Sequence, residues 1–151
     1  MGTWMLKTAV AAAALLLLAA CVSGTGLDAA GKRALYQSHA GEPVSSFRFF
    51  GSINGWTPVG DSALAVWTKP GEAWLLALQG PCQDLEFAPA IALTSQMNQV
   101  HARFDKVIAR GGGSIGLPCH IREIRPLDVK ALRASEKELR EARAQEREGG
   151  D

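Results

Sequence analysis

The sequence is poor in three features that often reveal a function: an excess of charge, a long apolar run and a cofactor motif. Its formal net charge is +1, which argues against nucleic acid as a partner, because such proteins usually carry a basic patch or stripe. The apolar run Ala9 to Val22 has about 14 residues, short of the roughly 20 that a membrane-spanning helix needs. The one Gly-x-Gly-x-x-Gly spacing, Gly111 to Gly116, leads into a predicted strand and not into the helix that a dinucleotide-binding motif opens, and we expect no cofactor.

Catalytic motifs are missing as well. The one Gly-x-Ser-x-Gly spacing, Gly112 to Gly116, is followed by Pro118 and a predicted strand rather than by the helix of a nucleophile elbow. The sequence has no His-Glu-x-x-His zinc helix, and the Gly111 to Gly113 run lacks the Lys-Ser/Thr of a phosphate loop. His39, His101 and His120 could be drawn into a hydrolase triad with serines and aspartates, but no spacing supports one. Asp105 could serve as a catalytic acid, although an Asp in a turn between strands more often hydrogen-bonds its own backbone. We therefore predict no catalytic residue and a protein that is not an enzyme.

The N-terminus has the layout of a secretory signal peptide, with Lys7 in a short start, the apolar run, and small residues before a cut. Its end, Leu18-Ala19-Ala20-Cys21, resembles the lipobox of bacterial lipoproteins. That resemblance implies that residues 1–20 are removed and that Cys21 receives three acyl chains, such as palmitate. Because two chains already give stable anchoring, the membrane is an expected permanent partner.

The residues after Cys21 favour one membrane over the other. Val22 and Ser23 stand where lipoproteins of this kind commonly carry an Asp when they stay at the inner membrane. The resemblance therefore implies the outer membrane, with the protein facing the periplasm. Removing Lys7 with the signal peptide would leave 15 of the 16 Lys and Arg residues against 15 Asp and Glu, so the formal net charge of the mature chain would be zero. Its length suits a single domain with one hydrophobic core.

Two cysteines remain once Cys21 is assigned to lipid. Cys82 and Cys119 form an even pair, and in an oxidising compartment such a pair is expected to be a disulfide. The competing interpretations are a metal site that uses Cys119 and His120, or two free thiols. Without a Cys-x-x-Cys spacing the metal interpretation is weak, and we predict no metal.

The hydrophobic pattern predicts an α+β fold, with a small antiparallel sheet or a partial barrel of about five to seven strands and a C-terminal helix. Residues 21–31 are small and polar and predict a flexible tether, and residues 32–126 form a β-rich domain. Residues 127–151 contain the helix and its tail, with Asp128 as N-cap. We expect only the first two turns of this helix to pack against the rest of the domain.

Individual strands follow from alternation and turn residues. Ala63 to Trp67 and Ala73 to Leu78 predict a hairpin around Lys69-Pro70-Gly71-Glu72, with a type II turn in which Gly71 has a positive φ. The second of these strands is apolar on both faces and should be central. Val100 to Phe104 alternates in the manner of a strand with one buried face.

Two further features have a structural and a functional interpretation. Trp56, Trp67 and Trp74 are a candidate ligand groove, although aromatic residues in a small β domain first of all form the core. The C-terminal helix has mixed charge, which usually means a solvated face but could also lie against a protein partner.

Several segments together resemble a family of short bacterial envelope lipoproteins of unknown function. They are Trp56, Ala63 to Trp67, Ala73 to Leu78, Pro81-Cys82-x-x-Leu85, Phe104 to Val107, and Cys119-x-Ile121-x-x-Ile124-Arg125. The likeness spans Tyr36 to about Arg140 and carries no activity over, because no catalytic or binding residue is defined for that family. It supports the lipidated start and the paired cysteines.

These observations lead to one functional expectation and one alternative. We expect a non-enzymatic lipoprotein that has a binding or structural role in the cell envelope, with an envelope protein as candidate partner. The alternative is an enzyme that acts on an envelope substrate, which would lose activity when His101, His120 or Asp105 is replaced.

Overall fold

The computed structural model describes residues 26–111 and 116–150. The predicted signal peptide, the lipobox with Cys21 and the first part of the predicted tether lie outside the described residues. The elements are α1 (Ala29–Ser38), β1 (Ser46–Arg48), β2 (Gly55–Pro58), β3 (Ala63–Lys69), β4 (Glu72–Leu78), a 3-10 turn (Leu85–Phe87), β5 (Ala90–Leu93), β6 (Gln99–His101), β7 (Lys106–Arg110), β8 (Pro118–Leu127) and α2 (Val129–Glu148).

Six strands form one antiparallel sheet in the order β2-β3-β4-β8-β7-β5, while β1 and β6 pair separately as a two-stranded ribbon. Within residues 26–111 and 116–150 the edge strands β2 and β5 do not pair with each other, so the sheet is open. The predicted α+β fold is confirmed in its antiparallel-sheet form. The main sheet has six strands, within the five to seven predicted, but it stays open and does not curl into the partial barrel.

The sheet separates two hydrophobic clusters because its side chains alternate between faces. On β4, Leu76 and Leu78 join the cluster under the β1–β6 ribbon, whereas Ala73 and Leu75 join the cluster under the helices. The molecule is therefore layered as ribbon, sheet and helices. The central position predicted for the strand Ala73 to Leu78 is confirmed, since β4 pairs with β3 on one side and β8 on the other.

Helix α1 corrects the predicted tether. The carboxylate of Asp28 accepts a hydrogen bond of 2.7 Å from the amide of Gly31 and caps a helix that already begins at Ala29. The small residues of this stretch are compatible with a helix once a cap is in place. Buried Tyr36 then holds the helix against the sheet.

The hairpin between β3 and β4 is confirmed, but its predicted turn type is wrong. Gly71 does not have a positive φ, so the turn is not type II. Pro70 fits the second position of a type I turn equally well, and that turn needs no positive φ at its third position.

The strand predicted from Val100 to Phe104 is shorter than its pattern suggests. Strand β6 ends at His101, Arg103 has a φ of 72°, and the Phe104 side chain is 80% exposed. The amide of Asp105 donates to the carbonyl of His101, which closes a turn and ends the alternation.

Helix α2 begins as predicted, because the side chain of Asp128 accepts a hydrogen bond of 3.0 Å from the amide of Ala131. Val129 and Leu132, in the first turns, are the buried residues of this helix. In the part of the chain that the structure describes, no helix combines the length and the apolarity that crossing a membrane requires.

Candidate functional site

The structure joins Cys82 and Cys119 in a disulfide with their Cα atoms 5.7 Å apart. The sheet brings them together because Leu78, at the end of β4, pairs with Ile121 near the start of β8. The free-thiol and metal interpretations of Cys119 are therefore wrong. Within the described ranges, no group of three or more His, Cys, Asp or Glu residues is arranged to hold a metal ion.

The three tryptophans do not line one groove, and that prediction is wrong. Trp56 and Trp74 both pair in register with Val66 and pack on the ribbon side of the sheet, where Trp74 stacks on Phe47 at 5.4 Å between ring centroids. Trp67 packs against the cluster under the helices, on the opposite face. Strand register decides this, because neighbouring positions of a strand face opposite sides.

Asp105 has the structural role that its turn position predicted. Its side chain is buried, with one carboxylate oxygen 2.7 Å from the amide of His101 and the other 2.6 Å from the hydroxyl of Thr94, which donates to it. The imidazole Nδ1 of His101 lies 3.5 Å from the first oxygen. Both carboxylate oxygens thus connect the turn to neighbouring chain segments.

The remaining histidines occupy separate surroundings. His39, at the end of α1, lies 3.0 Å from the Ser135 hydroxyl of α2, and His120 is an exposed residue of β8 paired in register with Lys106. No hydrogen bond or ion pair links one histidine to another in residues 26–111 and 116–150. The structure therefore does not assemble the candidate histidines into one centre.

A groove that sequence reasoning missed lies beside α1 on the helix side of the sheet. It encloses about 350 Å³ and is called here the Arg122 groove. Its apolar residues are Ala40, Val59, Ala63, Leu75 and Ala77, and its polar residues are Arg33, Gln37, Arg122, Glu123 and Arg125. A second depression of about 240 Å³ shares Arg33, Gln37, Ala63, Ala77 and Arg122 with it, so the groove is elongated.

The depth of the Arg122 groove comes from small side chains on two neighbouring strands. Ala63 of β3 pairs in register with Ala77 of β4, which places two methyl groups side by side on the sheet. Helix α1 covers this face only in part, since its buried residue is Tyr36. An apolar trough is left between the helix and the sheet.

A β-bulge supplies the most prominent cation of the groove. Ala77 pairs with Glu123 and Leu78 pairs with Ile121, so Arg122 is an extra residue of β8 without a partner on β4. The extra residue places Arg122 and Glu123 together at the rim. Among the described residues, Arg122 has no hydrogen-bond or ion-pair partner.

The other charged residues of the groove are already paired. The Nε of Arg125 lies 2.6 Å from a carboxylate oxygen of Glu123, and this hydrogen bond raises the pKa of the Arg125 guanidinium above its usual value. Arg33 donates to the Ser62 hydroxyl at 3.0 Å and lies 3.4 Å from Asp61. Of the three arginines that line the groove, Arg122 is thus the one without an ion-pair partner among the described residues.

One known protein family matches nearly the whole of the chain. The model of a family described as a family of unknown function, DUF6491, matches residues 4–143. The chain belongs to DUF6491. No curated protein and no solved structure matches it.

Membership of DUF6491 confirms the predicted resemblance in its broad form, a family of unknown function. The DUF6491 match includes both disulfide cysteines and every residue of the Arg122 groove. It is longer than the span from Tyr36 to about Arg140 that the sequence suggested. The alanines at 63 and 77 and the Arg-Glu-x-Arg order at 122–125 were visible in the sequence, but nothing local indicated that they meet.

Proposed function

We propose that this chain is a lipid-anchored binding protein of the bacterial cell envelope that holds a ligand in the Arg122 groove without transforming it. The observation that carries the proposal is an uncompensated guanidinium, that of Arg122, above an apolar floor of Ala63 and Ala77. Ligand sites in proteins are typically concave and combine apolar walls with placed polar groups. This groove combines five apolar and five polar residues.

The envelope location is supported by two independent features. The lipobox-like Leu18 to Cys21 would place the chain on a membrane, and Val22 after it favours the outer membrane, with the domain in the periplasm. The disulfide between Cys82 and Cys119 suits an oxidising compartment, since such bonds form and persist there.

Binding is favoured over catalysis by the chemistry of the groove. Its ionisable residues are three arginines and one glutamate, and Glu123 is engaged by Arg125. Arginine stays protonated at all physiological pH values and does not serve as a proton donor or acceptor at neutrality. The groove therefore attracts and orients an anion, but does not offer the acid and base that hydrolysis usually needs.

The anchoring part of the proposal is tested by Cys21→Ser. In cells fed a labelled fatty acid, the wild type should incorporate label and sediment with outer membranes, whereas the variant should carry none. Ser23→Ala is the matched control and should behave as the wild type. Absence of label in the wild type would refute the lipid anchor.

The binding part is tested by a photoreactive amino acid at Gln37, which is exposed and lines both depressions of the groove. In intact cells it should capture an envelope component, while the same residue at Gln145, exposed on α2, should not. Ala77→Leu, which fills the groove, should abolish the adduct. Identical adducts from both positions, or none from Gln37, would contradict binding in the groove.

A further inference from the structure

We infer that the ligand of the Arg122 groove is a small carboxylate with a short apolar chain. The carboxylate is held by Arg122, and the chain lies over Ala63 and Ala77. This inference rests on the proposed function, because it names the ligand class of the same groove.

The charge of the ligand follows from the pairing around the rim. Glu123 is hydrogen-bonded to Arg125 and Asp61 lies beside Arg33. Of the three guanidinium groups that line the groove, that of Arg122, which is exposed, has no carboxylate partner among the described residues. A planar guanidinium binds a carboxylate with two parallel hydrogen bonds. A phosphate monoester brings about −1.5 to −2 charges at neutral pH, more than one free cation balances beside two carboxylates.

Arg33 offers a second donor to the same anion. Its Nε is buried and has no hydrogen-bond partner in the described part of the chain, an arrangement that costs free energy while it lasts. Its Nη2 is held by Ser62, so the guanidinium stays at the edge shared by the two depressions. Arg33 thus brings a second guanidinium, with one unsatisfied donor, to the wall of the groove that Arg122 also lines.

The size and shape of the groove define the rest of the ligand. A volume of about 350 Å³ is near the lower end for small-molecule sites and suits a small ligand. A linear chain fits the groove, because Ala63 and Ala77 have short side chains and the groove continues into the second depression. Two kinds of molecule carry this chemistry: a short fatty acid, and the carboxyl end of a peptide that terminates in alanine.

The inference is tested by isothermal titration calorimetry on the full chain held in lipid nanodiscs, with empty nanodiscs as the blank. The probes are hexanoate, N-acetyl-alanyl-alanine, hexan-1-ol and hexyl phosphate. At least one carboxylate should bind about tenfold or more tightly than hexanol and hexyl phosphate, the effect expected of a hydrogen bond to a charged group. Tighter binding of hexanoate identifies the fatty acid, and tighter binding of the dipeptide identifies the peptide end.

Two pairs of variants locate the binding. Arg122→Gln should weaken the carboxylate about tenfold, whereas Arg110→Gln, at an exposed arginine of β7 outside the groove, should not. Ala77→Leu should abolish binding, whereas Ala92→Leu on the edge strand β5 should leave it unchanged. Circular dichroism of all four confirms that each is folded.

The inference is overturned if hexanol binds as tightly as both carboxylates, if hexyl phosphate binds most tightly, if no probe binds, or if Arg122→Gln has no effect. These failures are distinct from failure of the proposed function. If the calorimetry fails but Ala77→Leu still removes the adduct at Gln37, the groove remains a binding site. Only the carboxylate ligand is then rejected.

Discussion

Tyr36 of α1 donates a hydrogen bond of 3.2 Å to the carboxylate of Glu136 on α2, a contact between residues 100 positions apart in the sequence. It ties the two helices together on one face of the sheet, and the Tyr36 side chain is only 3% exposed. Burial, followed by the negative charge of Glu136, raises the pKa of the Tyr36 phenol above its ordinary value of 10.0.

The first prediction concerns alkaline stability. Because the unfolded phenol ionises near 10.0 and the folded one ionises higher, the stabilisation is fully present below pH 10 and is lost as the pH rises from there towards the folded pKa. Tyr36→Phe should cost about 1 kcal/mol at neutral pH, from the lost hydrogen bond. It should also reduce the decline in the free energy of unfolding between about pH 9 and pH 11, measured by urea titration.

Lys32 provides an internal check on this prediction. Burial lowers its pKa, so its own effect has the opposite sign and adds stability as the pH rises through the folded pKa. Lys32 is present in both proteins, and its effect cancels in the difference between them. Equal alkaline declines in the wild type and in Tyr36→Phe would show that the phenol does not contribute.

The second prediction concerns the disulfide. Cys82 and Cys119 are separated by 37 positions, and opening a loop of that length should lower the free energy of unfolding by up to about 4 kcal/mol. The double variant Cys82→Ser, Cys119→Ser should show this loss and be insensitive to reductant, while the wild type should lose the same amount when reduced. Recovery of two alkylatable thiols from freshly isolated wild type would disprove the pairing.

The third prediction separates a structural Asp105 from a catalytic one. Asp105→Ala leaves the amide of His101 and the hydroxyl of Thr94 without their acceptor, and should cost about 2 to 4 kcal/mol in the free energy of unfolding. Thr94→Ala should be less costly alone, and the double variant should reveal a coupling of about 0.5 kcal/mol or more. Thermal melts that leave Asp105→Ala as stable as the wild type would contradict the structural role.

The fourth prediction compares two leucines of α2. Leu132 is completely buried, so Leu132→Ala should cost about 2 to 5 kcal/mol. Leu139 is only partly buried, and Leu139→Ala should cost less than about 1 kcal/mol. Chemical denaturation of the two variants side by side is the measurement. Equal losses would mean that the second half of the helix is docked as firmly as the first.

The sequence by itself was sufficient where the signal is local. Pro70 and Gly71 between two apolar runs indicated the β3–β4 hairpin, and Asp128 before an amphipathic stretch indicated the start of α2. The Cys82 and Cys119 pair followed from counting thiols once Cys21 was assigned elsewhere. Turn and capping preferences act over three or four residues, which is why they can be read without the rest of the chain.

The tertiary structure alone decided which residues share a face and what lies between α1 and the sheet. Register placed Trp67 opposite Trp56 and Trp74, although alternation was visible in each strand separately. The Arg122 groove needs α1 beside Ala63 and Ala77 and a bulge in β8, relations between distant segments that no local pattern encodes. Such sites arise from long-range packing, in which backbone pairing and the space left by small side chains determine which charges remain uncompensated.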